Sequence, residues 1–178
     1  MKNQLFNMKK YIPIYILIIL AIAARLIPHP ANFTPIAAIA LFAGIYLPKK
    51  WALVVPLVGM FISDIFIGFY NLPTMATVYA CFIVSALIGI WVSKNKKFRT
   101  ILGGTLLGSV IFFIFTNLAV WIFGTMYAHN LNGLFQCFYM ALPFFRNSLA
   151  GDLFYTGVLV GGMELVIRTL ALRAEARL

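Results

Sequence analysis

Acidic residues are the scarcest feature of this chain: four Asp and Glu stand against fourteen Lys and Arg in 178 residues. Charged residues of both signs make up only 10%, where a soluble domain carries about 25%. That excludes an ordinary soluble fold. There is no Gly-rich P-loop with its Lys, so the chain does not hydrolyse ATP itself. His-Glu-x-x-His, Gly-x-Ser-x-Gly and other nucleophile sets are missing too, so the sequence reads as a non-enzyme. Nothing in the spacing of Asp64 and Asp152 favours an aspartate dyad. Two cysteines, Cys81 and Cys137, are too few for a disulfide framework and read as free, packed thiols. Two histidines, His29 and His129, lack ligand-spaced neighbours, and no metal or cofactor is implied.

What is abundant is apolar: 63% of residues are hydrophobic and the mean hydropathy is +0.97. Apolar runs recur that are long enough to cross about 30 Å of hydrocarbon. The expected fold is all-α: one integral membrane domain over 1–178 with six transmembrane helices. These are expected at about 11–27, 33–47, 51–69, 75–92, 101–123 and 146–170. Pro28 and Pro30 end the first, because proline cannot donate to the helical ladder and restricts its predecessor. The stretch 124–145 has no Lys or Arg but is rich in aromatic residues. It reads as an outer amphipathic loop at the interface or folded over the protein. Ala21-Ile22-Ala23 could pass for a signal-peptide cleavage site, but the first apolar run reads better as an uncleaved helix.

Twelve of the fourteen basic residues fall in four blocks: Lys2/Lys9/Lys10, Lys49/Lys50, Lys94/Lys96/Lys97/Arg99 and Arg168/Arg173/Arg177. Such blocks mark cytoplasmic returns, so both termini are expected inside a plasma (inner) membrane. The net charge of +10 is then accounted for by orientation and anionic lipid, with no nucleic acid needed. At 1.5 Å per residue, Arg25 and Asp64 lie roughly 20 Å from the inner ends of their helices. Asp152 lies roughly 9 Å below the outer start of the last helix, where Arg146 sits. Asn117 and Trp121 share this outer level on the fifth helix.

Ionisable groups within a bilayer are costly and usually face the bundle interior with partners. Two arginines and two aspartates make a neutral set, suited to a zwitterionic or polar solute. The alternative is that Arg25–Asp64 and Arg146–Asp152 are ion pairs that only fix helix packing. Glu164, with Arg168 four residues on, reads as a snorkelling pair. Small-xxx-small patterns in the second, fifth and sixth helices allow close helix approach. They serve packing or, through Ala37, Ala40 and Gly44, docking to another membrane subunit.

The stretches Arg25-Leu26-Ile27-Pro28-His29-Pro30-Ala31-Asn32-Phe33-Thr34-Pro35-Ile36-Ala37-Ala38, Ser63-Asp64, Thr116-Asn117-Leu118-Ala119-Val120-Trp121 and Pro143-Phe144-Phe145-Arg146-Asn147-Ser148-Leu149-Ala150-Gly151-Asp152 resemble an uncharacterised family of small bacterial inner-membrane proteins. More distantly, the size and helix count resemble the substrate-binding S components of energy-coupling-factor vitamin transporters. That likeness implies capture of a small solute from outside, with a transmembrane coupling subunit and ATPases as partners. It departs at the first helix, where Ala21, Ala23 and Ala24 do not form the Ala-x-x-x-Ala docking pattern; Ala40-x-x-x-Gly44 is the nearest substitute.

The expected binding set is Arg25 and Arg146 for anionic groups, and Asp64, Asp152 and Asn117 for hydrogen bonds. Trp121 and Tyr127 would stack on a ring, and Asn32 and Asn147 complete the set. The rival expectations are an assembly subunit of another membrane complex and a stand-alone proton-coupled carrier.

Overall fold

A computed structural model describes residues 2–175; side chains are described from residue 12 onward, except those of 13, 170, 171 and 174. The basic side chains of Lys2, Lys9 and Lys10, and Arg177, lie outside the described set. Six helices make up the fold: α1 (Lys2–Leu26), α2 (Ile36–Tyr46), α3 (Lys49–Ile67), α4 (Leu72–Val92), α5 (Phe98–Phe123) and α6 (Leu131–Glu175). Four of them, α3 to α6, are long and apolar enough to cross a membrane. The apolar stretch Ile14–Leu26 of α1 and the whole of α2 are shorter.

Helix α2 organises the bundle. It touches every other helix, and nine of its eleven residues are buried. Its sequence, Ile-Ala-Ala-Ile-Ala-Leu-Phe-Ala-Gly-Ile-Tyr, is apolar on all sides, as a fully enclosed helix must be. It starts at Ile36, not at the expected position 33, because Pro35 caps it and cannot itself continue a ladder upstream. Leu47 turns to an extended conformation and Pro48 opens α3. At 11 residues it is only about 16 Å long. Among neighbours of 19 to 45 residues, so short a central helix leaves a hollow above its N-terminus.

The small residues of α2 are used inside the chain. A Cβ on Gly44 would lie 2.2 Å from the Ala86 carbonyl oxygen, and one on Gly89 would lie 2.2 Å from that of Leu41. The α2 and α4 backbones thus touch at a glycine pair, the close approach such residues permit. Ala40 is wholly buried and Ala37 faces a cavity. The expected docking face of Ala37, Ala40 and Gly44 is therefore not a free surface: α4 and the hollow occupy it. The Gly104 pattern likewise packs against Val92 and Ile88 of α4. Gly157 and Gly161 of α6 face open space.

The largest departure from the sequence expectation is α6. Residues 131–145, expected as a loop, are helical and continuous with the rest of α6. Asn130 starts the helix, its side-chain oxygen accepting from the Gly133 amide at 2.8 Å. Pro143 sits inside and removes one ladder bond, yet flanking helix is held by packing. Cys137 donates to the Asn117 carbonyl of α5 at 3.5 Å, and Phe113 of α5 packs on Phe138 and Phe145. Further along, Ser109 of α5 meets Asp152 of α6. Fifteen residues of α6, 137 to 152, thus pass only eight of α5, so this part of α6 crosses α5 obliquely. Its outer ridge of Leu131, Phe135 and Tyr139 is exposed. Both cysteines are free and buried, Cys137 within α6 and not in a loop.

Candidate functional site

The ends of α1 and α3, the 27–35 and 68–71 connections, and α4, α5 and α6 surround the hollow above α2. Two adjoining cavities, of about 470 and 260 Å³, share Asn32, Tyr70, Val78, Phe112 and Ser148 as walls. The larger one is bounded by Arg25, His29, Thr34, Ala37, Phe82 and Asp152 among others. The smaller reaches Asn117, Thr116, Phe113 and Phe145. A drug-sized ligand site typically spans about 300 to 1,000 Å³ with mostly apolar walls and a few placed polar groups. The hollow meets that description.

Its walls hold their positions for local reasons. Asn32 adopts φ 63°, a left-handed conformation that Asn tolerates better than most residues. This turn folds the 27–35 connection back, and Phe33 donates its amide to the Pro30 carbonyl. Asn147 of α6 then ties it down by donating to the Ala31 carbonyl at 3.0 Å. Phe33 packs on Phe154 and Tyr155 of α6. On the far side, Gly68 at φ 104° ends α3, and Asn71 caps α4 by accepting from the Thr74 amide and hydroxyl.

Two buried aspartates sit at this level in different surroundings. Asp64 of α3 is 0% exposed and is held by two helices besides its own. Arg25 Nη1 of α1 donates to Oδ1 at 2.6 Å, and the Tyr79 hydroxyl of α4 donates to Oδ2 at 2.7 Å. The same Arg25 nitrogen donates to Ser63 Oγ at 2.7 Å, while Ser63 donates back to the carbonyls of Gly59 and Met60. This ion pair is charge-balanced on the spot. Its arginine side chain, 16% exposed, still forms part of the cavity wall.

Asp152 of α6 is 6% exposed and has one side-chain partner, Ser109 Oγ of α5, which donates to Oδ2 at 2.6 Å. Among the described residues no cation pairs with it. The expected Arg146–Asp152 pair does not form, since six residues on an α-helix is not a facing interval. Arg146 is exposed and forms no part of either cavity. Thr105 and Ser109, one turn apart on α5, both donate to the carbonyl four residues before, but the shorter contact of Ser109 is to the carboxylate. Serine and threonine recurring one turn apart in an apolar helix were the available sequence signal for this partner.

The remaining expected residues divide. Asn32 and Asn117 reach the hollow, although Asn117 donates its amide to the Phe113 carbonyl at 2.7 Å. Trp121 donates to the Ala128 carbonyl at 3.0 Å and meets the His129 ring edge-on, so it braces the 124–130 connection. Tyr127 lies on that same connection and, like Trp121, outside both cavities. The aromatic walls of the larger cavity are instead Tyr70, Phe82 and Phe112, none of which the sequence singled out. Burial pushes the Tyr70 phenol up to about 12, Asp64 adding to the rise and Arg25 opposing it, so Tyr70 is a neutral hydroxyl here. Glu164 accepts from the Tyr46 hydroxyl of α2 at 2.5 Å and forms no pair with Arg168. Among the described residues no cluster of metal-binding side chains occurs.

The family match covers residues 6–174. The chain belongs to DUF6580, a family of unknown function. No curated protein and no solved structure matches it. The match takes in α2 to α5, nearly all of α1 and α6, and every residue of the hollow. What the DUF6580 chain does must therefore be argued from the hollow itself.

Proposed function

We propose that this protein is a membrane-embedded solute-binding component that takes a small polar or aromatic solute into the hollow above α2 from the outer side of a plasma membrane. The observation that carries this reading is the pairing of a cavity of about 470 Å³ with a buried carboxyl in its wall that no cation among the described residues pairs with. A fold built only for packing would fill such a space or pair such a charge, because both an empty hollow and an isolated buried charge cost stability.

On this reading all six helices belong to the membrane domain, α2 as a short enclosed half-span. The Lys49/Lys50 and 94–99 blocks lie at the α2–α3 and α4–α5 junctions, at the opposite end from the 27–35 and 68–71 connections around the hollow. By the positive-inside rule the hollow then opens outward, with both termini cytoplasmic. Uptake needs a partner to supply energy, as in the S components of energy-coupling-factor transporters. Of the expected binding set, Arg25, Asn32, Asn117 and Asp152 stand in the wall, whereas Asp64 acts through Arg25.

The test is a variant that fills the hollow without touching any charge. Ala37→Trp would occupy the larger cavity. Native mass spectrometry of protein extracted gently from the host membrane should find a small organic molecule on the parent protein and none on this variant. An empty parent, or equal occupancy of both folded proteins, would sink the proposal. The assembly-subunit alternative predicts the latter result, with another membrane protein co-purifying instead.

A further inference from the structure

The charges around the hollow do not cancel, and the imbalance names the kind of solute. One arginine and two aspartates are gathered there, a net of one negative charge. Arg25 is already committed to Asp64, at 2.6 Å. Arg146, the other arginine near this level, is exposed and outside both cavities. The open electrostatic position is therefore Asp152, and the group it lacks is a cation.

Two features favour keeping Asp152 charged. The Ser109 hydroxyl donates to Oδ2. In addition, Ala37 and Ala38, in the first turn of α2, share a small void with Asp152, so the partially positive helix end lies close by. Neither supplies a full positive charge. Aromatic rings, Phe112, Phe82 and Tyr70, bound the same cavity. A ring face attracts a cation electrostatically, and more so away from water. Of the remaining polar groups, Asn32, Thr34 and Ser148 can donate or accept hydrogen bonds without adding charge, and the His29 ring is engaged with the Ile27 carbonyl at 2.6 Å.

We infer that the hollow takes an organic cation, an aliphatic or aryl amine or a protonated nitrogen heterocycle, whose positive nitrogen pairs with Asp152 while its body lies among Phe112, Phe82 and Tyr70. This rests on the solute-binding reading above and adds the sign of the ligand's charge. It also reassigns Arg25 from an anion contact to a braced wall residue.

Three probes of nearly one shape separate the two claims: benzylammonium, benzyl alcohol and benzoate. Their binding to the detergent-solubilised full chain is read by isothermal titration. Benzylammonium should bind the parent protein and benzoate should not. Asp152→Asn should weaken benzylammonium by about thirtyfold or more, as removing one partner of a buried charge pair does. Equal binding of benzyl alcohol or preference for benzoate overturns the charge assignment and leaves the cavity reading standing. Unaltered benzylammonium binding by Asp152→Asn does the same. Silence of all three probes on the parent protein, whose charge preference needs no variant to read, overturns both.

Discussion

Asp64 and Asp152 are both buried at one level of one bundle, yet they are opposite kinds of residue. Asp64 receives an arginine from α1, a tyrosine from α4 and lies beside a serine of its own helix that the same arginine reaches. Asp152 receives one serine. The first joins three helices and leaves no charge over. The second leaves a carboxyl group without a cation beside a hollow. A buried carboxylate is thus not evidence for function by itself; what decides is whether the protein has already satisfied it.

The comparison can be broken most severely at Arg25. Arg25→Ala strands the Asp64 charge with no cation, and losing one partner of a buried pair costs about 3–5 kcal/mol. The midpoint of thermal unfolding in detergent should fall accordingly. Arg25→Met with Asp64→Leu should recover most of the loss, because the paired charges go together. If the double variant is as unstable as the single one, the pair is not the simple packing device described here.

A smaller effect is expected at Tyr79. Tyr79→Phe removes one hydrogen bond to a charged group, worth about 1.5–3 kcal/mol, and keeps the ring. Chemical denaturation of the two proteins side by side measures it. No change would mean that Arg25 alone satisfies Asp64.

The smallest effect on stability belongs to Asp152. Asp152→Asn keeps an acceptor for Ser109 and removes a charge without a cation, so stability should move by less than about 1 kcal/mol, and upward. A fall as large as that of Arg25→Ala would mean that Asp152 holds the fold as Asp64 does, and the contrast would vanish.

Much of this organisation is readable in the residues. Prolines at 28, 30, 35 and 48 bound α2, and the apolar runs mark α3, α4 and α5 within a few residues of where they lie. Arg25 and Asp64 are conspicuous as charges in apolar surroundings, and they do meet. The start of α6 was harder to read. Asn130 is a helix-start signal, but a proline at 143 and many aromatics argue for a break, and only packing of 137, 138 and 145 on α5 keeps the helix running.

The sequence by itself determined the apolar, all-α class of molecule, most of the helical segments and the enclosure of Arg25, Asp64 and Asp152, though not the exposure of Arg146, since hydropathy, proline and charge act locally along a chain. Tertiary structure alone decided which charges meet. Whether Arg146 reaches Asp152, whether α2 shows its small residues to a partner or to α4, and whether Trp121 faces a ligand or its own connection depend on helix rotation and offset. Those follow from packing several helices around one short one. The hollow, and the unbalanced carboxylate in its wall, exist because α2 is about 16 Å long where its neighbours are longer.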